Sequence, residues 1–454
     1  MSLYTQWVSR GLFPLQERLK GHPTVRYRRA LETSQWWAPE ALRTLQEERL
    51  SRLLERVTAQ VPFYRDWFAQ HGFHISDFSR IEDLRHLPVT DKSLIRNQGT
   101  SWRADDAAGL TEHRTSGSSG EPLTFWLGAD RIGMDIAAKW RATRWWSVDI
   151  GDPEVVLWGS PVETANQNRA RAWRDRLFRS SLVPASDLNP ERLDQIIARL
   201  RVIRPRMLFG YPSAIARLAW HARDNGQRLD DLGIRVAFTT SEVLRPEWRE
   251  VIGEVMACGV SNEYGARDAG FIARECPEGG LHITAEELIV EILDDNDQPV
   301  PDGTTGNIVV TNLAGPEFPF LRYRTGDRGA LDPGICPCGR GLPLLRDIEG
   351  RANDGLIAAD GSWVHGSRFN YMLRDLNGLR AYKIIQHDRQ RVELLLSLAA
   401  PLPADVERHL RQGFAEALGG AVEIDVNEVD VISPEPNGKH RHVICKVSSI
   451  EGHC

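Results

Sequence analysis

Arg114 to Pro122 reads R-T-S-G-S-S-G-E-P. Thr115, Ser116, Ser118 and Ser119 supply hydroxyls interleaved with Gly117 and Gly120, so the backbone can fold tightly round an anion and turn hydroxyls and N–H groups toward it. The pattern predicts a phosphate cradle. The alternative is a flexible Ser/Gly linker, but a strand-like run, Thr124 to Leu127, follows at once. A P-loop of the G-K-[ST] kind is disfavoured, because no lysine follows the second glycine. Four later stretches suit the same chemistry. Tyr264-Gly265-Ala266-Arg267-Asp268 sets an aromatic face and a carboxylate beside a glycine, and Arg322 to Asp327 places a carboxylate on a turn at a strand end. Gly350 to Asp354 contains Arg351 and Asn353, and Asn437-Gly438-Lys439 presents a lysine on a glycine turn. Only six of the 56 basic residues are lysines. Arginine cannot replace a flexible point charge everywhere, so Lys439 stands out.

A second group has metal-ligand character. Cys276 and His282 form a C-x5-H pair, Cys336 and Cys338 a C-x-C pair, and proline and glycine flank both. Three thiolates and one imidazole suit tetrahedral zinc in a closed, structural site. The alternative is three buried free cysteines and a surface histidine. Cys258, Cys445 and Cys454 have no partner by spacing and read as core or tail residues.

The elements that must position these residues follow from periodicity. Residues 1 to about 100 show apolar positions at three- and four-residue spacing and predict a helical layer. After the cradle, residues 127 to 147 return to helical spacing and E-V-V-L-W-G-S-P reads as a buried strand ending in a turn; R-M-L-F-G-Y-P-S and I-R-V-A-F-T-T-S-E then each precede a helix-like stretch. Alternation of this kind predicts a mainly parallel sheet with ligands beyond the strand C-termini, where Ser241 and Glu242 sit. From Gly280 to Leu331 short strands and turn signals predict a β-rich subdomain. The segment from Arg351 onward reads strand, strand, helix, strand, a small α+β domain. The expected division is therefore 1–350 and 351–454 within an α/β fold. A net charge of −6 argues against a nucleic-acid footprint. No apolar run approaches the roughly 18 residues of a membrane span, and the first ten residues lack the plan of a signal peptide. The reducing cytoplasm is the expected compartment.

The five phosphate-site stretches, in this order across 114 to 441, resemble the adenylate-forming superfamily of acyl-CoA synthetases and adenylation domains. The T-S-G-S-S-G-E-P form and the C-P-C-G-R segment are most similar to the phenylacetate-CoA ligase family, and within it to relatives encoded in capsular polysaccharide gene clusters. The resemblance implies a large ATP- and acid-binding domain and a mobile C-terminal lid. It assigns Thr115 to Gly120 to the β- and γ-phosphates of ATP, Tyr264 with Gly265, Ser241 and Glu242 to the adenine, and Asp327 to the ribose hydroxyls. Arg351 is read with the nucleotide site, Asn353 as the hinge and Lys439 as the catalytic lysine. Where the family usually carries Thr-Glu after Tyr-Gly-x, this chain has Arg267-Asp268. Asp268 keeps a carboxylate for Mg²⁺, and Arg267 sets a fixed cation beside the α-phosphate. Tyr211, with Trp158, is the candidate lining for the acid pocket, although most such aromatics are core. The implied partners are a carboxylic acid and coenzyme A, or an amine as acceptor; a nucleotide-binding protein without catalysis is the rival reading. The sequence leaves homodimer formation open.

Overall fold

The computed structural model describes residues 2–115, 123–158, 169–185, 188–351, 355–365, 368–369, 372–373, 376–420, 422–433 and 441–447. The first hundred residues are helical: α1 (Leu3–Trp7) and α2 (Phe13–Leu19) joined through a π turn (Val8–Leu12), then α3 (Thr24–Ser34), α4 (Pro39–Gln60), α5 (Pro62–His71) and α6 (Lys92–Gln98). In α4, Pro39 occupies the first turn, where its missing N–H leaves nothing unsatisfied, and Leu42, Leu50, Leu53, Leu54 and Val57 form its buried face. The helix stops at Val61, whose extended backbone is what a residue ahead of proline favours.

A hairpin of β1 (Thr111–Arg114) and β2 (Thr124–Leu127) leads into α7 (Ala129–Trp145). Strands and helices then alternate: β3 (Glu154–Leu157), α8 (Arg169–Leu177), β4 (Ser180–Val183), α9 (Pro190–Ile203), β5 (Met207–Gly210), α10 (Pro212–Asp224), β6 (Val236–Thr240), α11 (Pro246–Met256) and β7 (Gly259–Ala266). Proline opens α9, α10 and α11, which fixes each strand-to-helix turn locally. There follow β8 (Gly270–Glu275), β9 (Leu281–Ile283), β10 (Leu288–Leu293), β11 (Gly306–Asn312), β12 (Tyr323–Asp332) and β13 (Leu344–Arg351).

Among the described residues these strands form one sheet of eleven, in the order β10-β11-β12-β13-β9-β8-β7-β6-β5-β3-β4. Neighbours from β4 through β3, β5 and β6 to β7 are parallel, and every pairing from β7–β8 outward is antiparallel. The β-rich part is thus a continuation of the parallel sheet rather than a layer apart from it. The parallel half is packed beneath α9, α10 and α11 through Leu157, Ile197, Leu208, Ile215 and Ile252, as a sheet built by crossover helices must be. The antiparallel half packs on the N-terminal helices through Leu53, Leu54, Val57, Tyr64 and Val310.

The C-terminal part holds a hairpin of β14 (Gly355–Ile357) and β15 (Trp363–His365), and a sheet of β16 (Leu379–Asp388), β17 (Arg391–Leu398), β18 (Glu423–Glu428) and β19 (Val443–Cys445) backed by α12 (Ala404–Ala417). It has a core of its own, centred on Phe369, Tyr382, Leu394 and Phe414. Among the described residues it meets α10 and α11 at the following groups. The Trp248 indole N–H donates to the Arg380 carbonyl at 2.9 Å, Arg380 pairs with Asp224 at 2.7 Å, and Arg245 stacks over Tyr382.

Gly210 ends β5 where a Cβ would stand 2.4 Å from the Leu157 carbonyl oxygen of β3. Gly210→Ala must therefore push two paired strands apart. A loss of about 1–3 kcal/mol in denaturant stability is expected, and an unchanged unfolding midpoint would show that β3 and β5 are not joined in this register.

Candidate active site

The base of the Ser/Gly segment is fixed by its flanks. The Thr115 N–H donates to the Leu123 carbonyl at 3.0 Å and the Leu123 N–H to Thr115 Oγ1 at 2.9 Å, continuing the β1–β2 ladder. Ser116 to Gly120 lie outside the described residues, as do Asn353 and Lys439. Arg267 reaches the same place from the β7–β8 turn, donating to the Arg114 carbonyl at 3.0 Å. Beside it, burial and then the Arg267 charge hold the His113 imidazole below its usual range.

That β7–β8 turn is where the sheet changes from parallel to antiparallel. Two glycines make it: a Cβ on Gly265 would lie 2.6 Å from the Gly270 carbonyl oxygen, and Gly270 has φ +110°. Gly265 is thus explained by the close approach of β8, at a register shift between Tyr264 and Ala266. The turn presents Asp268, whose side chain is almost wholly buried. One carboxylate oxygen accepts from the Tyr323 hydroxyl at 2.6 Å and has the Lys92 ammonium 3.7 Å away; the other accepts from the Ala269 N–H at 3.1 Å. Arg131, on α7, donates to the Asp268 carbonyl at 3.1 Å and pairs with Asp135 and Glu287. Burial, with the Asp268 charge added, raises the Tyr323 phenol well above its ordinary range, so it remains the donor.

Next to this group, the Tyr264 hydroxyl donates to Asp327 Oδ2 at 3.0 Å and lies 3.3 Å from Thr325 Oγ1. Burial and the Asp327 charge raise the Tyr264 phenol too. Tyr323, Thr325 and Asp327 all lie on β12, the first meeting Asp268 of the turn and the other two meeting Tyr264 of β7, with the chain between them turned at Gly326 (φ 85°). In the backbone register of β12 and β13, position 351 stands opposite position 327. On the parallel side, Ser241 adopts φ 70°, and Glu242 accepts from the Ser213 N–H at 3.2 Å in the first turn of α10, a favourable place for an anion. Tyr211 is buried at the same helix start, its ring stacked on Trp158 (centroids 4.5 Å), which stacks in turn on Phe209 (5.7 Å). The Lys139 ammonium lies 3.9 Å from the Phe209 ring centroid, and burial pushes its pKa down.

The structure therefore brings Arg267, Asp268, Tyr264 and Asp327 together at one turn, and sets Ser241, Glu242, Tyr211 and Trp158 at the ends of β3, β5 and β6. Lys92, Arg131 and Tyr323 were missed from sequence. Lys92 had a signal, as one of six lysines directly after the helix-capping Asp91. Tyr323 lay two and four residues before Thr325 and Asp327, at strand spacing.

Cys276, His282, Cys336 and Cys338 converge, with their donor atoms all within 4.8 Å of one another. The sulfurs of Cys276 and Cys336 are 3.5 Å apart and Cys338 Sγ is 3.2 Å from His282 Nε2, close to the roughly 3.8 Å edge of a tetrahedron with 2.3 Å zinc–sulfur bonds. His282 Nδ1 faces the Leu342 carbonyl at 3.3 Å, which directs Nε2 toward the thiols. The Gly279 N–H returns to the Cys276 carbonyl and the Gly339 N–H to the Cys336 carbonyl, both glycines at positive φ, so each pair sits on a tight knuckle. Burial pushes the Cys276 thiol up to about 12 and the His282 imidazole down to about 4. The cluster sits where β13 joins β9 through only two residue pairs.

Against known proteins, the fold is that of the adenylate-forming ligases. A 2-hydroxyisobutyryl-CoA ligase solved in its postadenylation state with R3-HIB-AMP superposes with a TM-score of 0.73 over 91% of each chain, at 20% identity. The same ligase with 2-HIB-AMP and CoA in the thioesterification state gives 0.61 over 91% of each chain, at 22% identity. In sequence the chain is a homologue of the phenylacetate-coenzyme A ligases: it is 29% identical to that of Thermus thermophilus over 70% of this chain and 72% of the relative. To that of Escherichia coli it is 28% identical over 70% and 73%. Residues 356–446 match the model of the CapK C-terminal domain.

If the cysteine–histidine cluster holds zinc, purified protein carries about one zinc per chain by elemental analysis. Cys336→Ser then lowers both the zinc content and the melting temperature. A metal-free protein whose melting is unmoved by that substitution would leave the four residues as plain core.

Proposed function

We propose that this protein activates a carboxylic acid with ATP, forming an acyl-adenylate and releasing pyrophosphate, and then passes the acyl group to the thiol of coenzyme A. The observation that carries the reading is the β7–β8 turn. Two carboxylates, Asp268 and Asp327, are each fixed there by a tyrosine hydroxyl, and Arg267 ties the turn to the foot of the Ser/Gly segment.

On this reading Thr115 to Gly120 hold the β- and γ-phosphates, and Tyr264 stands against the adenine with Ser241 and Glu242 opposite. Asp327 accepts from the ribose hydroxyls, since a carboxylate can take both protons of a cis-diol. Asp268 would hold Mg²⁺, which neutralises phosphate charge when bound. Arg267 and Lys92 flank the phosphates as fixed and mobile cations. The acid enters beside Tyr211 and Trp158. As its carboxylate oxygen bonds to the α-phosphorus and the bond to pyrophosphate breaks, negative charge builds on the oxygens between them. The Lys439 ammonium stabilises that distribution more than it does the separated ground state. Residues 351–454 act as the lid that carries Lys439, turning about Asn353 between adenylation and transfer. The cysteine–histidine cluster serves as a zinc clip on β9 and β13, away from the chemistry. Weighing the product formed with coenzyme A, and with amines offered in its place, decides the acceptor.

Pyrophosphate release with ATP, Mg²⁺ and a panel of acids tests the reading. Release is expected with some acids and absent without acid, and Lys439→Ala should slow it by roughly 10²–10³-fold while leaving ATP binding in place. ATP binding with no acid-dependent release from any member of the panel would favour a nucleotide-binding protein without catalysis.

A further inference from the structure

The first helical segment buries Val8 and Phe13 but carries a second set of apolar side chains outward. Thr5, Ser9 and Glu17 are buried. Thr5 Oγ1 donates to Asp152 at 2.8 Å and Glu17 accepts from Thr24 at 2.8 Å, while Phe13 packs edge-on against Trp140. On the other side Leu3 is 85% exposed, Trp7 54%, Leu15 55% and Leu19 80%. A surface helix that meets only water carries polar residues on such an outer face.

These residues stand four apart, with Gly11 between Trp7 and Leu15. In an unbroken α-helix each four-residue step drifts by about 40°, about 160° over the whole stripe. The wider π turn at Val8–Leu12 takes back part of that drift and keeps the apolar side chains to one face. At Gly11 there is no side chain, and the Trp7 ring lies 4.0 Å from where a Cβ would be.

The face extends onto α8. The Tyr4 hydroxyl donates to the Leu177 carbonyl at 2.8 Å, Phe13 meets Phe178, and Arg179 stacks over Tyr4 at 4.1 Å. There Trp173 is 68% exposed and Leu177 40%. Six of the twelve exposed large apolar side chains among the described residues thus belong to this one surface, a concentration that marks an interaction site.

Its charge selects the occupant. Arg10, Arg18, Lys20 and Arg176 are exposed along it. The single acid in residues 2–20, Glu17, is buried beside Lys20, and Asp175 pairs with Arg174. A basic face set against the same face of a second copy is repelled, and it suits an anionic partner. Leucines and tryptophans flanked by arginines and lysines are the composition of a helix that lies in a bilayer interface, the aliphatic groups entering the acyl boundary and the cations meeting the headgroups. The bases of a nucleic acid would leave Leu3 and Leu19 in water.

The position is compatible with catalysis. The face is built against Gly151 and Asp152, before β3, and residues 177–179, before β4, at the N-terminal ends of the parallel strands. Tyr211, Ser241 and Glu242 lie at the opposite ends.

We propose that this surface docks the protein peripherally on an anionic lipid membrane. Flotation of the full chain with phosphatidylcholine vesicles, with and without phosphatidylglycerol, tests it. Binding is expected only with phosphatidylglycerol and weakens as salt rises. Arg10→Glu with Arg18→Glu should cut it at least about tenfold. Leu3→Ser with Trp7→Ser and Leu19→Ser should do the same, and both variants should keep the parent's circular dichroism and melting temperature. Absence of flotation, equal flotation with and without phosphatidylglycerol, or tight RNA binding lost in both variants would overturn the proposal. So would a parent dimer that the Leu3, Trp7 and Leu19 substitutions convert to monomer in sedimentation, which assigns the face to self-association.

Discussion

The hydrogen bond from Tyr323 to Asp268 is the constraint on which the arrangement of the site depends. It joins the β7–β8 turn, where the sheet reverses its pairing, to β12, several strands away in the antiparallel half. With Asp268 held, Tyr264 on the adjoining strand is placed to meet Asp327, and Arg267 reaches back to the hairpin that bears the Ser/Gly segment. Replacing a buried partner of this kind leaves a carboxylate without its donor, which costs more than the bond itself contributes.

Beneath the turn, α7 supplies the rigidity through charge. Arg131 and Arg141 are both buried, the first against Asp135 and Glu287, the second against Glu286, which also accepts from Ser34 of α3. Across β7–β8, Arg274 and Glu263 form another buried pair, and burial pushes the arginine down to about 9. Pairs like these are weak evidence for stability, because desolvation offsets most of the attraction; breaking one costs about 3–5 kcal/mol. Arg131 with Glu287 and Arg141 with Glu286 tie α7 to the chain just before β10, and Arg274 with Glu263 ties β8 to β7.

Much of the architecture was legible in sequence because local signals agreed. Continuous apolar runs marked β3, β5 and β6, and Pro212 and Pro246 marked the helices that follow β5 and β6. Strand β7 was harder to read, since G-V-S-N-E-Y-G-A is polar and owes its place to neighbours on both sides. The cysteine–histidine group was legible because its spacing is a property of two short turns. Lys92 and Arg131 were not, because their approach to Asp268 spans more than a hundred residues and exists only once the sheet is built. The outward leucine and tryptophan stripe escaped for a different reason: an ordinary helical period does not describe a segment interrupted by a π turn.

The central claim is that an acid's own oxygen attacks the α-phosphorus of ATP at this turn. An acid labelled with ¹⁸O in its carboxylate tests it directly, with the nucleotide product weighed after acyl transfer. Adenylation leaves one heavy oxygen in AMP. Heavy oxygen in inorganic phosphate, with ADP as the nucleotide product, would place the attack on the γ-phosphorus and contradict the assignment.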